Sequence, residues 1–323
     1  VSSSGQFQSY DQGFLAGTGG NREDLLDIIV NIAPWDTPLF SSSPKTTARH
    51  TTHEWIEDDL AAVTAWSGGS AEGAAFSAQA QLVRKRIANY TMIFRKDIEV
   101  SETQRAVNPA GIKDEYSYQL SVAMKEIGRA VEARSFNARA SSAAGASGAG
   151  TTASGSARLM RTLDDMIFTN TASAASATKA LLDSLVEAAF IAGGVPNRLF
   201  VHPNTKSQIV NNIGGAATVN YRNVAASDAR LIGNVDVYVS NFGALELVPD
   251  RFMPTAATAT GTTSYGRIWL LEQPKIRYAI LRPIKHVPLP PNGDSVRGMV
   301  LGELTMEVLA DKAHAKALCV TAG

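Results

Sequence analysis

From Asn108 to Arg139, apolar residues recur at Ile112, Tyr116, Leu120, Ala123, Met124, Ile127 and Val131, one face at helical period. Between them fall Lys113, Asp114, Glu115, Lys125, Glu126, Arg129, Glu132 and Arg134, which predicts an opposite face charged in both signs. Such a face can meet water or a neighbouring subunit. Asn108 is placed to cap this helix, and Pro109 suits its first position, where a missing N–H costs nothing. Roughly thirty residues at about 1.5 Å each make a rod of about 45 Å, with no heptad continuation to make it a coiled coil.

Thr46 to Val107 reads as strand, tip, strand. On the returning limb Tyr90, Met92, Phe94, Ile98 and Val100 alternate with Asn89, Thr91, Arg95, Asp97 and Glu99, so that part is expected to dock on a core. The outer limbs differ, because Glu54, Glu57, Asp58 and Asp59 crowd the outgoing strand and Arg84, Lys85 and Arg86 the returning one. Neither has an apolar face wide enough to build a domain, and the stretch from Trp66 to Gly73 is a polar, glycine-rich tip. A two-stranded ribbon of about a dozen residues per limb is about 40 Å long and marginally stable alone. The acidic and basic limbs have two ways to be satisfied: by each other across the ribbon, or by the opposite sign on another copy. Trp55 and Trp66 add large aromatics of the kind that anchor interfaces.

The remaining pattern alternates helices and strands. Residues 1–20 are polar and glycine-rich with scattered Phe7, Tyr10, Phe14 and Leu15, Asn21 can cap a short helix through Ile29, and Pro38-Leu39-Phe40 is expected to continue extended. Ser141 to Gly155 is a small-residue loop. Thr178 caps an amphipathic helix carrying Leu181, Leu182, Leu185, Val186 and Ala189, which Gly193-Gly194 ends. Arg198 to Val201 reads as a strand, Asn204 to Asn212 as a helix, and Val235 to Ser240 and Ala244 to Val248 as strands, a mixed α/β layer. After a second small-residue loop, Thr255 to Ser264, come strands at Arg267 to Leu271 and Ile276 to Leu281. Met299 to Leu309 and Ala313 to Val320, joined by Ala310-Asp311-Lys312, are expected to form a closing hairpin.

Composition narrows the function. The 323 residues include thirty basic and thirty acidic ones, so the formal net charge is zero and no chain-wide attraction to nucleic acid or anionic membrane exists. Charged residues make up only 19% of the chain, below the usual quarter, and a surface so poor in charge tolerates being covered. The single cysteine, Cys319, excludes an intrachain disulfide and is expected to be a small core residue. No apolar run approaches a membrane span, and the polar start is no signal peptide, which predicts a soluble chain made in a reducing compartment.

Catalytic patterns are weak. His50 and His53 near Glu54 lie three apart, which on an extended strand points them to opposite faces rather than at one metal. His202, His286 and His314 stand singly, and His202 before Pro203 suits a cap or turn. No Gly-x-Ser-x-Gly elbow, phosphate-binding loop or dinucleotide fingerprint occurs. Asp164-Asp165 open a helical segment with Met166, Ile167 and Phe168, where carboxylates favour the helix dipole. Neither an enzyme nor a cofactor is expected.

The order of parts (arm, charged ribbon, long helix, glycine-rich loop, α/β module, returning strands) resembles the Hong Kong 97 type fold of tailed-bacteriophage major capsid proteins. Gly19-Gly20-Asn21-Arg22-Glu23-Asp24-Leu25 through Ala33-Pro34-Trp35-Asp36-Thr37-Pro38-Leu39 looks like the entry sequence of one phage major head protein group. Gly302-Glu303-Leu304-Thr305-Met306-Glu307-Val308 with Ala313-His314 looks like that group's closing hairpin. The resemblance implies an α+β capsid fold with an N-terminal arm (1–45), an extended β-ribbon loop (46–107), a spine helix in a peripheral domain (108–172), an axial domain (173–261) and return strands completing the peripheral domain (262–323). It implies a homo-oligomer of hexamers and pentamers, an icosahedral shell around double-stranded DNA touched by weak nonspecific contact. Scaffold, portal or decoration proteins are its possible partners, there is no membrane, and it is assembled in the host cytoplasm and located in the virion. Some members crosslink through a Lys and an Asn; no ribbon lysine here supports that role, so an uncrosslinked shell is expected. Intersubunit contacts are expected at Glu54, Trp55, Glu57, Asp58, Asp59, Trp66, Arg84, Lys85 and Arg86. An encapsulin-like nanocompartment shell is the alternative reading, and a soluble hydrolase a remote one.

Overall fold

A computed structural model describes residues 36–60, 72–73, 75, 84–107, 114–136, 158–174, 176–214, 236–253, 256–257, 264–291 and 293–320. The first half contains α1 (Pro38–Ser42), β1 (Lys45–Thr47), β2 (Thr52–Glu57), β3 (Lys85–Tyr90), β4 (Met92–Ser101), α2 (Glu102–Ala106), α3 (Glu115–Phe136) and α4 (Leu163–Met166). Then follow β5 (Thr171–Ala174), α5 (Lys179–Ile191), β6 (Arg198–Val201), α6 (Pro203–Gly214), β7 (Val237–Ser240) and β8 (Gly243–Pro249). The chain closes with β9 (Ala256–Ala257), β10 (Ser264–Leu271), β11 (Ile276–Leu289), β12 (Ser295–Val308) and β13 (Ala315–Val320).

Two sheets organise these elements. One has the order β1-β11-β12-β4, with α3 packed on β4 and β12. The other runs β5-β13-β10-β6-β8-β7, with β9 paired to β10. β2 and β3 form a separate two-stranded ribbon. One apolar core joins α3, α4 and the four-stranded sheet to one face of β10, through Phe136, Trp269 and Tyr278. A second core lies under α5 on the other face, through Leu182, Leu199, Ile268 and Leu270. Period-two alternation along β10 thus feeds both cores from one strand.

α5 follows its sequence closely. The Leu181 N–H donates to Thr178 Oγ1 at 3.3 Å, the five expected apolar residues are buried, and Gly193 takes the left-handed conformation, φ 89°, that ends the helix. His202 precedes α6, and its Nδ1 accepts the Asn204 N–H at 3.2 Å, a cap as expected. α4 begins with a capping box in which Asp165 reaches back to Thr162.

Other expectations need correction. Within the described residues the long helix starts at Glu115, and its cap is Asp114, whose carboxylate accepts the Tyr116 and Ser117 N–H groups. The Ser117 hydroxyl bond, with these, holds Asp114 below the ordinary carboxylate range. The expected start at Asn108-Pro109 lies outside the described residues. The described rod is about 33 Å long. Met124, expected on the buried face, is 45% exposed, and Glu132, expected on the charged face, is fully buried. Pro38-Leu39-Phe40 is helical rather than extended, because Pro38 occupies the first position of α1 and Glu132 accepts its free N–H groups.

The closing hairpin is not one. β12 stays in the four-stranded sheet between β11 and β4, whereas β13 pairs with β10 and β5 in the other. Ala310, in the left-handed region at φ 55°, and the short turn Asp311–Ala313 carry the chain between them. Strands β10 and β13, expected to complete the peripheral domain, therefore belong to the sheet of the α/β module. β11 also runs on past Leu281, with register shifts between Ile280 and Lys285 where Pro283 cannot donate to the ladder. The expected helix after Asn21, the loop 141–155 and the Cys319 side chain lie outside what is described.

Close packing at Gly194 locks this crossing. A methyl group there would sit 2.6 Å from the Ala313 Cα, against backbone. Gly194→Ala is expected to lower unfolding free energy by about 2 kcal/mol, measured by urea titration of the unassembled chain.

Candidate intersubunit surface

β2 and β3 pair antiparallel from Thr52↔Tyr90 to Glu57↔Lys85, and the alternation gives the ribbon two different faces. Trp55 points inward and is only 8% exposed, within the core of its own chain. Its indole N–H donates to Glu57 Oε1 at 3.3 Å, and the same oxygen accepts the Ala310 N–H at 2.7 Å. Glu57 thus satisfies the backbone at the left-handed residue where the chain changes sheets. Trp55 and Glu57, expected as contacts to other subunits, are correctly read as ribbon residues, but here they fasten the ribbon's base to its own body. The inward alternation explains both.

The outer face carries the other charges. Arg86 pairs with Glu54 and Arg84 Nε lies 3.2 Å from Asp58, whereas Lys85, paired across the ribbon with inward Glu57, lies on the body side with its Nζ 3.6 Å from Asp59. Of the two ways to satisfy the limbs, the single chain uses pairing across the ribbon. Lys312 Nζ also reaches Asp59 at 2.8 Å and, with Lys85, holds that carboxyl below its ordinary range. These side chains are largely solvent-exposed, so water screens their pairs and little is lost by exchanging partners. Trp66 lies outside the described residues.

Two residues on this face escaped the charge-based reading. Ile56 is 67% and Leu60 97% exposed, large apolar groups set among the charges. The alternation of Trp55 inward with Ile56 outward was the signal that could have found them. Behind the ribbon base, a cavity of about 420 Å³ separates it from the 310–313 turn and the end of α5, with Phe168 two-thirds exposed. A second groove, of about 430 Å³, runs between β4 and α3 and is lined by Asp97, Glu99, Glu115 and Glu126 against Lys96. Farther away, Phe190 and Phe242 stack at 5.1 Å beside exposed Ile191, and edge strand β7 exposes Val237 and Val239.

The histidines do not converge. His50 Nδ1 accepts the nearby Thr52 N–H, His53 faces Glu307 at 3.7 Å, His286 contacts the Tyr116 hydroxyl, and His314 is buried against Leu309. Among the described residues no group of three His, Cys, Asp or Glu side chains is placed to hold a metal ion. No helix among them is long and apolar enough to cross a membrane.

A docked ribbon, a spine helix over a four-stranded sheet and an α/β module beside it define a capsid-type shell fold. The cyanophage A-1(L) capsid subunit matches with a TM-score of 0.64 at 13% identity, covering 93% of this chain and 96% of that one. The capsid structure of cyanophage P-SCSP1u matches at 0.56 and 11% identity over 98% and 96% of the two chains. The SrpI encapsulin complex from Synechococcus elongatus matches at 0.56 and 11% identity over 90% and 91%. At these identities the likeness is one of fold, the Hong Kong 97 type. The family model for the SU10 major capsid protein matches residues 7–321, and the chain belongs to that family of phage capsid proteins. The major capsid protein of Escherichia phage Phieco32 is 31% identical over 128 residues, a stretch spanning 39% of this chain and about a third (34%) of that protein.

Trp55 and Arg86 separate the two faces by experiment. Trp55→Ala is expected to lower unfolding free energy of the unassembled chain by about 3 kcal/mol, whereas Arg86→Ala changes it by less than about 1 kcal/mol, in parallel urea titrations.

Proposed function

We propose that this chain is the repeating wall subunit of a closed phage head, assembling as hexamers and pentamers into an icosahedral, uncrosslinked shell around double-stranded DNA. The observation that carries the reading is the two-faced ribbon: its inner side is docked, while its outer side presents Ile56, Leu60 and exchangeable charges with nothing among the described residues to cover them. The family match supports a phage head over an encapsulin compartment. Zero net charge suits a wall that contacts packaged DNA weakly and does not collect nucleic acid during assembly. Assembly takes place in the host cytoplasm, the product resides in the virion, and scaffold, portal and decoration proteins are its potential partners. Wall-building requires no catalysis and no cofactor.

Charge complementarity supports a specific neighbour contact for the ribbon. The acid-rich groove between α3 and β4 matches the Arg84-Lys85-Arg86 limb of a neighbouring copy. Its acids are paired on their own surface, Glu126 with Lys96 at 2.8 Å and Asp97 with Arg95 at 3.1 Å, in exposed pairs that exchange at little loss. Trp66 and the remaining ribbon charges would extend the same contact.

Reversing Arg84, Lys85 and Arg86 to Glu together is expected to abolish shells in electron micrographs, under conditions where the parent chain assembles with any scaffold it requires. The circular dichroism and urea midpoint of the unassembled chain stay close to the parent's. Adding Asp97→Lys and Glu99→Lys to that variant restores particles. Normal assembly of the triple reversal would reject the ribbon's proposed role.

A further inference from the structure

The most unexpected group in the molecule is the fully buried carboxylate of Glu132, on α3. Its two oxygens accept the Leu39 and Phe40 N–H groups of α1, each at 2.7 Å. Asp250, which follows β8 and is 1% exposed, is its acidic neighbour, close enough that burial and its charge raise the Glu132 carboxyl. Asp250 Oδ1 accepts the Phe252 N–H at 2.7 Å, whereas its Oδ2 is buried with no donor among the described residues. Two carboxylates cannot bond each other unless a proton lies between them, because an ionised carboxylate only accepts. A proton held between them would supply the partner that Asp250 Oδ2 lacks.

We propose that Glu132 and Asp250 share one proton and act as a pH-sensitive latch, fastening the segment that leads out of α1 to the spine helix and to the α/β module. The latch is built into the subunit and does not depend on the shell reading. Three separate parts of the chain meet at it: α1 at residues 38–42, α3, and the end of β8. Removing the proton leaves two buried like charges side by side on α3 and at the end of β8, and release of α1 relieves them by uncovering Glu132 to water.

The surrounding charges are few. Lys45, after α1, bonds the Phe40 and Ser43 carbonyls, and its ammonium is the cation felt by Glu132, with burial lowering its pKa to about 8. The charges of Asp36 before α1 and of His202 at the start of α6 act on Asp250, and the buried Tyr278 hydroxyl of β11, bonded to the Ser135 hydroxyl at 2.7 Å, is raised by burial and by the charge of both acids. Arg129 on α3 lies over the Phe252 ring. Burial, then the bond and charge of Asp250, raise Glu132 to about 9 from an ordinary 4.5. The docked state therefore holds one proton more than the released state between those values. Its advantage is full below about 4.5, falls as pH rises, and is gone above about 9.

The test uses the unassembled full chain and limited subtilisin cleavage within residues 36–44, normalised to a free peptide of the same sequence. Cleavage of the parent chain is expected to rise about tenfold per pH unit from pH 6 and level off near pH 9. In Asp250→Asn the amide donates to Glu132 without a shared proton and its oxygen keeps the Phe252 bond, so cleavage stays low and flat with pH. Lys45 is unchanged in that variant, which separates its titration from that of the pair. Infrared spectra of the parent at pH 7 are expected to show a protonated-carboxyl carbonyl band that is lost near pH 9 and is absent in Asp250→Asn. A flat pH profile in the parent, the parent's profile persisting in Asp250→Asn, or absence of the carbonyl band at pH 7 would each overturn the proposal.

Discussion

Strand β12 is hydrogen-bonded along both edges, by β11 on one side and β4 on the other, and the rest of the molecule is positioned by that double pairing. Because β4 continues from β3 with only Thr91 between them, the ribbon cannot move independently of the sheet. At that joint Thr91 donates to Glu303 of β12, and Arg158 and Arg282 bring two cations to the same buried carboxylate. A buried acid satisfied by three donors tolerates no slip in register, since a shift of one residue would turn Glu303 to the other face and leave its partners unpaired. Asn89 completes the joint, donating to the Met306 carbonyl and accepting the Arg161 N–H.

From this fixed base the two faces of the ribbon acquire different duties. The inward side chains of Trp55 and Glu57 are held by apolar packing and by the backbone of the sheet-changing turn. The outward ones face water and make pairs that solvent weakens. A subunit built this way holds its ribbon base by its own inner face and leaves the outer charges in exposed pairs. That suits a wall subunit of the capsid type its family forms.

Much of this was legible in the chain itself. α5 could be read from Thr178 to Gly193 because its cap, apolar stripe and stop all act within a few residues of one another. The ribbon's existence followed from alternation and charge, and the order of parts was enough to suggest the Hong Kong 97 type fold. The errors share one cause. Glu132 looks like a surface acid, Pro38-Leu39-Phe40 looks extended, and the last two strands look like a hairpin, yet each outcome depends on groups more than a few residues away. Ile56 and Leu60 were overlooked because charge dominated the reading of their strand.

Local physics, then, determined what each segment is: cap residues, apolar period and turn chemistry act over short distances and are written directly in the order of side chains. Tertiary structure alone decided which sheet receives β13, which ribbon residues turn inward, and that two acids separated by more than a hundred positions meet in the core. Burial is a property of the assembled layers. Only when α1, α3 and the end of β8 have closed around Glu132 does a side chain that water would ionise become one that holds a proton.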